Sequence, residues 1–288
     1  MKIALVTSKD WPALHPEEQP LIELLLQHRI QAEPTIWDDS AVDWKCFDAI
    51  VIRSTWDYHL HADRFHIWLD RLERSGVPVW NPISLLRMSA EKTYLADIAR
   101  AGFDTVPSIF ISQDEPIEIN ELFSDLRCEE AVLKPTVAAS GLRARRVSRC
   151  DRHHGHHLRE LLSYGDVMAQ PFLPRVRESG EWSLVYLGGS FSHGVLKRPA
   201  RDDFRVQEEL GGTTMAAQPS AAIRKTCDRL IDWLGAPTLY ARIDGFPDPD
   251  AGILLSEVEL VEPLLFLSHA PGSVGKFADA IARRVRST

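Results

Sequence analysis

Short apolar runs alternate with segments of helical length through the first eighty or so residues, and this alternation restricts the possible folds more than any other feature of the chain. Lys2 to Thr7 reads as a buried strand bounded by Ser8-Lys9-Asp10. A helix follows over Glu17 to Ile30, with Leu21, Leu24, Leu25 and Ile30 forming an apolar stripe at helical period. Phe47 to Ile52 predicts a second strand ending at Arg53-Ser54-Thr55-Trp56-Asp57, Ala62 to Arg74 a second helix closed by Gly76, and Val77 to Trp80 a third strand. Strands separated by helices of this length build a parallel α/β sheet, whose ligands sit beyond the carboxyl ends of the strands.

After Asn81-Pro82 the pattern becomes compact α+β. It predicts a helix over Glu91 to Ala101, a strand over Val106 to Ile111, a helix near Ile119 to Leu126, and a strand at Ala131 to Pro135. From Asp166 onward strands dominate: Val167 to Gln170, Glu181 to Leu187, Ser192 to Leu196, Leu239 to Phe246 and Ile253 to Leu260. Helices over Ala221 to Leu234 and Val274 to Val285 complete the chain. The expected division is 1–88, 89–172 and 173–288.

Charge and cysteine usage narrow the class. Acids exceed bases by 41 − 33 = 8, so there is no global positive field to collect nucleic acid or anionic lipid. No run of roughly 18 apolar residues occurs. Cys46, Cys128, Cys150 and Cys227 are scattered without a CxxC pair, which disfavours a zinc ribbon or redox dithiol. A reduced, cytoplasmic protein without nucleic-acid or membrane partners is expected.

Three places invite chemistry. Lys134 ends an apolar strand, where an ammonium is costly unless an anion accompanies it; the alternative is a lysine snorkelling at a strand end. The small-residue segment Ala138 to Leu142 then turns basic through Arg143, Arg145 and Arg146, and such a loop can lay backbone N–H groups on phosphate oxygens or be a plain solvated hairpin. Near the C-terminus, alternation puts Glu257 and Glu259 on one strand face, and pairing of that strand with Tyr240 to Asp244 would add Asp244. Three carboxylates at one spot repel unless a hard cation lies between them, and oxygen-only ligands select magnesium or manganese. The alternative is a solvated charged face. The cluster His153 to His157 has a central glycine and no regular ligand spacing, and is expected to be a solvated loop. No Gly-x-Ser-x-Gly, P-loop or Gly-x-Gly-x-x-Gly pattern is present.

Taken in chain order, these features resemble the ATP-grasp superfamily from about Val51 to Ala280. Glu91-Lys92-Thr93-Tyr94-Leu95 and Val132-Leu133-Lys134-Pro135 resemble its two nucleotide lysines, and Val167 to Leu173 its adenine hinge. Arg242-Ile243-Asp244 and Glu257-Val258-Glu259 are similar to its oxyanion and metal strands, with Glu259 where many relatives carry asparagine. Ser54 to Tyr58 and Glu259 to Pro263 resemble a subgroup around the O-ureido-serine cyclo-ligase of cycloserine biosynthesis.

The resemblance implies an ATP-grasp fold, α/β and α+β, with an N-terminal Rossmann-like parallel α/β domain, a central lid subdomain and a C-terminal catalytic sheet. It implies an ATP-dependent ligase that activates a small-molecule carboxylate, an amino acid or derivative, as an acylphosphate for attack by an amine. ATP would lie against Lys92, Lys134, Ser140, Gly141, Gln170, Phe172 and Glu181, with magnesium or manganese on Asp244, Glu257 and Glu259. Arg242 would stabilise the oxyanion; Lys197-Arg198-Pro199 and Asp203 to Gln207 resemble the substrate- and phosphate-facing strands, with Lys197 catalytic and Arg205 meeting the transferred phosphoryl group. The loop from Ala138 to Arg146 would order over nucleotide. A homodimer is left open, and a silent nucleotide-binding regulator or a phosphotransferase is the alternative function. Arg53 and Asp57, at a strand end, are expected to hold the carboxylate and ammonium of a zwitterionic substrate; the structural alternative is that Trp56 packs under the adjoining helix and Asp57 caps it.

Overall fold

The computed structural model describes every residue except Pro116, Ser140, Asp202 and Thr288. Strand β1 (Lys2–Thr7), helix α1 (Pro20–Gln27), strands β2 (Gln31–Ile36) and β3 (Ala49–Ser54), helix α2 (Ala62–Ser75) and strand β4 (Val79–Trp80) build a parallel sheet in the order β2-β1-β3-β4. The helix expected from Glu17 begins only at Pro20, whose fixed φ and missing N–H suit a first turn. Helix α2 ends as expected at Gly76, which takes the left-handed conformation (φ 73°) that favours glycine. Strand β2 was not expected, because Pro34 interrupts it and its apolar residues are few. It is an edge strand, where proline removes no ladder bond that the sheet needs.

The helix expected over Glu91 to Ala101 is α4 (Tyr94–Arg100), and an unexpected helix, α3 (Ile83–Ser89), precedes it. Ser89 Oγ donates to the Val258 carbonyl at 3.0 Å and accepts from Leu260 N at 3.1 Å, and Tyr94 Oη accepts from Val258 N at 2.8 Å. Strand β5 (Ile109–Ile111), helix α5 (Ile119–Asp125), strands β6 (Glu130–Pro135) and β7 (Arg145–Ser148), helix α6 (His154–Leu162) and strand β8 (Val167–Pro171) form an antiparallel sheet ordered β5-β8-β6-β7. One face is buried beneath α5 and α6, with Leu122, Phe123, Leu158 and Leu161 against Leu133, Val147 and Ala169. Helix α6 overturns the solvated loop expected at His153 to His157. Leu158 and Leu161 anchor it, His154 stacks on Phe123 (ring centroids 5.8 Å apart), and His157 Nδ1 lies 2.9 Å from Arg145 Nη1.

Past the short helix α7 (Arg175–Glu178) come strands β9 (Glu181–Leu187), β10 (Ser190–Arg198) and β11 (Thr213–Ala217), helix α8 (Ala221–Trp233), strands β12 (Tyr240–Asp248) and β13 (Gly252–Glu259), and helix α9 (Ser273–Arg286). The strands form an antiparallel sheet, β11-β10-β9-β12-β13. Asp203 to Gln207, expected as a strand, is irregular: the Asp203 carboxylate accepts from the backbone nitrogens of Phe204 and Arg205 at 2.7 and 3.0 Å, a local turn that competes with strand pairing. Helix α8 packs Ile223, Cys227 and Leu230 on Tyr186, Ile243 and Leu255, while α9 buries Phe277, Ile281 and Val285 with Leu25 and Tyr240. Asn81 clamps the first sheet to this one. Its Nδ2 donates to the carbonyls of Tyr240 and Leu260 at 2.9 and 2.8 Å. Among the described residues no helix is long and apolar enough to cross a membrane.

Candidate functional site

Strand register assembles a charged face on the last sheet. Across β12 and β13, Arg242 stands opposite Glu259 and Asp244 opposite Glu257. Across β12 and β9, Asp244 stands opposite Ser183, and across β9 and β10, Glu181 opposite Lys197. Directly opposed residues share a face, and residues two apart on one strand do too, so one side of the sheet gathers all seven polar side chains. This face floors a cavity of about 670 Å³. Lys134, Gln170 and Phe172 of the middle sheet and Trp11 and Trp56 of the first sheet's loops also line it.

Charges on the floor are interlocked. The Asp244 carboxylate, 2% exposed, accepts from Ser183 Oγ and, at 2.9 to 3.1 Å, from Nε and Nη2 of Arg242, with Lys197 Nζ at 3.6 Å. Burial opposes its charge, but Arg242 and Lys197 outweigh burial and hold it below the usual carboxylate range. Glu257 behaves alike: burial is overcome by Lys134, whose Nζ lies 2.8 Å away, and by Lys92, and the group is held well below the usual range. Glu259 differs. It shares Arg242 Nη2 with Asp244, yet burial and the neighbouring Asp244 and Glu257 push it up to about 7. Lys197 keeps a raised pKa despite burial because Asp244 and Glu181, the latter 2.9 Å away, surround it.

One oxygen from each of Asp244, Glu257 and Glu259 falls within 4.8 Å of the other two. An all-oxygen donor set of this size, with one member still short of positive charge, fits a hard divalent cation. The carboxylates predicted from strand alternation are therefore brought together.

The other expected residues reach the same cavity by separate routes. Lys92 Nζ donates to the Ala138 carbonyl at 2.7 Å, which draws the small-residue loop over the cavity. Gly141 (φ 64°) sits so close to the Gln207 amide that a Cβ there would lie 3.3 Å from it. Ser140 lies outside the described residues. Gln170 Nε2 donates to Ser108 Oγ at 2.9 Å, and the Phe172 ring lies 3.8 Å beneath the Arg146 guanidinium. Glu181 accepts from Ser256 Oγ at 2.8 Å. Arg205 lines the cavity with Nε and Nη2 engaged by Asp203, which it holds at about 2.

Two expectations fail here. Arg53 is 1% exposed and closed upon itself: Nε donates to Glu18 at 2.8 Å, Nη2 to Glu18 and to the Pro263 carbonyl at 3.0 Å, and the guanidinium stacks 4.5 Å from the Tyr240 ring centre. Asp57 accepts from Trp37 Nε1 at 2.7 Å and makes no side-chain cap. Neither residue lines the cavity, because each finds an internal partner first. Arg145 and Arg146, expected to make the loop basic, belong to β7 and pair with Glu160 and Glu130 at 2.8 and 2.6 Å. Trp11, His15 and Glu17, which do line the cavity, were missed. The signal for them was available: they follow β1, and parallel strands present their C-terminal ends to ligands.

The chain is similar over most of its length to several known proteins. A profile of the D-cycloserine synthetase DcsG N-terminal domain matches residues 3–81. The cycloserine biosynthesis protein DcsG of Streptomyces lavendulae is 27% identical over 309 aligned positions, covering 99% of both chains. A glutathione synthetase of Nitrosomonas europaea is 28% identical over 198 positions, covering 68% of this chain and 58% of its own. The crystal structure of D-cycloserine synthetase DcsG superposes with a TM-score of 0.89 at 25% identity, over 99% of this chain and 100% of the other. A D-alanine–D-alanine ligase from Bacillus anthracis superposes at 0.68 with 16% identity over 100% and 99%, a likeness of fold alone.

Proposed function

We propose that the chain is an ATP-grasp ligase that activates the carboxylate of a small amino-acid derivative as an acylphosphate, which an amine then captures with release of ADP and phosphate. The observation that carries this reading is the convergence of Asp244, Glu257 and Glu259 with Lys134, Lys197 and Arg242 on one cavity floor. Phosphoryl transfer demands little covalent chemistry from a protein and much fixed positive charge around the phosphoryl oxygens.

Lys92 and Lys134 are assigned to the nucleotide phosphates, Gln170, Phe172 and Glu181 to the base and ribose, and Gly141 to the loop beside them, with Ser140 assigned from the sequence alone. Arg205 and Lys197 are assigned to the transferred phosphoryl group. Arg242 is held rigid by Asp244, Glu259 and the Leu264 carbonyl, and it keeps its charge because those acids outweigh burial. A fixed guanidinium costs no reorganisation when an oxyanion develops beside it. Asp244, Glu257 and Glu259 would hold a divalent cation, magnesium in this reading, which when bound neutralises charge on the nucleotide phosphates. The reading also divides the chain at 1–88, 89–172 and 173–288. It places the enzyme in the cytoplasm, where four unpaired cysteines stay reduced.

ADP formation with magnesium and ATP, measured over mixtures of small carboxylates and amines with the product mass determined, tests the assignment. A released phosphorylated acid in place of a condensed product would make the protein a phosphotransferase. Nucleotide binding without turnover on any mixture would make it a regulator.

A further inference from the structure

Beyond β13 the chain leaves the sheet as an irregular strap, residues 260–266, which contributes Val261, Glu262, Leu264 and Phe266 to a cavity wall adjoining the floor. Backbone outside a sheet must find its hydrogen bonds elsewhere. Here side chains supply them. The carbonyls of Val261, Glu262, Pro263, Leu264 and Leu265 accept in turn from Tyr240 Oη, Trp56 Nε1, Arg53 Nη2, Arg242 Nη1 and His193 Nε2, at 2.9, 2.8, 3.0, 3.1 and 2.9 Å. A carbonyl only accepts, so His193 Nε2 carries the proton, and Nδ1, 2.9 Å from Ser192 Oγ, accepts from that hydroxyl. Burial lowers the pKa of the ring and keeps it in this neutral form.

Strand register explains how His193 comes to be there. Phe191 on β10 stands opposite Tyr186 on β9, yet it is His193, not Ser192, that stands opposite Val185. Ser192 is the extra residue of a β-bulge. Without it His193 would stand opposite Leu184, on the face that packs with α8; with it, His193 shares the face of Val195 and Lys197. Val185 in turn stands opposite Arg242 on β12. Arg242, Val185 and His193 therefore form one row across the sheet, and the two ends of that row hold neighbouring carbonyls of the strap. Val185 and Val195 pack in the same apolar cluster as Leu265 and Phe266.

The next residue of the strap needs this grip. Phe266 takes φ 49°, a left-handed conformation that a bulky residue keeps only where its surroundings over-determine it, and its ring lies 5.5 Å from the Arg242 guanidinium. A strap released at Leu265 can relax Phe266 to negative φ, and the Leu264 carbonyl and the Phe266 ring then lose their places against Arg242. We propose that His193 is a positioning residue for the ligation: through the Leu265 carbonyl it holds the strap that orients Arg242. His193 is not among the residues that line the cavity. What Arg242 does once oriented rests on the ligase reading, but its orientation can be read without turnover.

Two arms test this. In the first, the arginine Nε–H signals of the protein with ADP and magnesium are followed by NMR, the signal lost in Arg242→Lys being that of Arg242, whose Nε donates to Asp244. Its exchange with water should quicken about tenfold or more in His193→Leu and return to within about twofold of wild type in His193→Gln, whose amide nitrogen can stand where Nε2 does. An unchanged rate in His193→Leu, or equal quickening in both variants, overturns the proposal. In the second arm, ADP formation is measured over mixtures of small carboxylates and amines. His193→Leu should lower kcat about tenfold or more with KM for ATP within about twofold, since a misplaced oxyanion donor is felt in the transition state, and His193→Gln should recover most of kcat. Full kcat in His193→Leu, a loss confined to KM, or no recovery in His193→Gln overturns it. Should the leucine variant not fold, His193→Asn takes its place in both arms, because its amide stands where Nδ1 does and falls short of Leu265. No ADP formation by the wild type on any mixture, alongside an Arg242 signal that responds as expected, would break the ligase reading and leave His193 as the residue that orients Arg242.

Discussion

Two buried ionic constellations lie within this molecule, and they teach opposite lessons. At the end of β3, Arg53 meets Glu18, the Pro263 carbonyl and the Tyr240 ring, and Ser54 Oγ donates to the other Glu18 oxygen at 2.8 Å. One cation meets one anion, the guanidinium's other hydrogen bonds go to main-chain carbonyls and the second Glu18 oxygen is taken by a hydroxyl, so nothing is left to recruit a ligand. On the cavity floor and adjoining wall, Glu181, Asp244, Glu257, Glu259 and Glu262 face Lys92, Lys134, Lys197 and Arg242, an excess of acid. The deficit shows in Glu259 and Glu262, pushed up to about 7 and about 8, by burial first and then by neighbouring carboxylates. A buried pair that closes is scaffold. A buried set that does not close is waiting for charge from outside.

The comparison breaks most sharply at Arg53. Replacing it with Ala strands Glu18 in the interior and should cost about 3–5 kcal/mol of folding stability, read by urea denaturation, with KM for ATP unchanged. A variant of normal stability with altered substrate preference would return Arg53 to the substrate. Next in size, Glu257→Gln should lower turnover roughly a hundredfold or more while Tm stays within a few degrees, because it removes charge from the site and leaves the fold's core intact. Undiminished turnover would undo the metal assignment.

A pH dependence sharpens the contrast further. From their ordinary 4.5, Glu259 and Glu262 are raised to about 7 and about 8, so between these values the folded protein keeps protons that the unfolded chain has released. Stability of the metal-free protein should therefore fall as pH rises through that window, by at most about 1.4 kcal/mol per pH unit for each group. Magnesium competes with the proton at Glu259, so the stabilisation it confers should grow from about pH 5 to about pH 8. Thermal melts with and without magnesium across this range decide it; a constant magnesium effect would show that the acids do not hold the cation. The smallest effect belongs to Asp57→Asn. The amide oxygen can still accept from Trp37, so stability should change by less than about 1 kcal/mol and amino-acid preference not at all. A shifted preference in ADP-formation assays would place Asp57 back in the cleft.

Local pattern decided much of this protein. Period-two alternation alone puts Glu257 and Glu259 on one face, and the apolar runs around Asp244 and Glu257 mark strands that pair antiparallel, which is why the carboxylate set was legible before any coordinates. Strand β2 and helix α6 were not legible, because Pro34 and a histidine-rich first turn obscure the periodicity and only packing against the sheets makes them regular. Partner choice was the other hidden quantity. Nothing within a few residues of Arg53 says that Glu18, 35 positions earlier, will meet it, or that Trp37 will take Asp57. Likewise, Trp11, His15 and Glu17 become a cavity wall only when the loop after β1 closes on Trp56 and Glu262. Side-chain type and strand period are fixed along the chain. Which buried charges cancel and which remain open is decided by distances across the fold, and that remainder is what a ligand can bind.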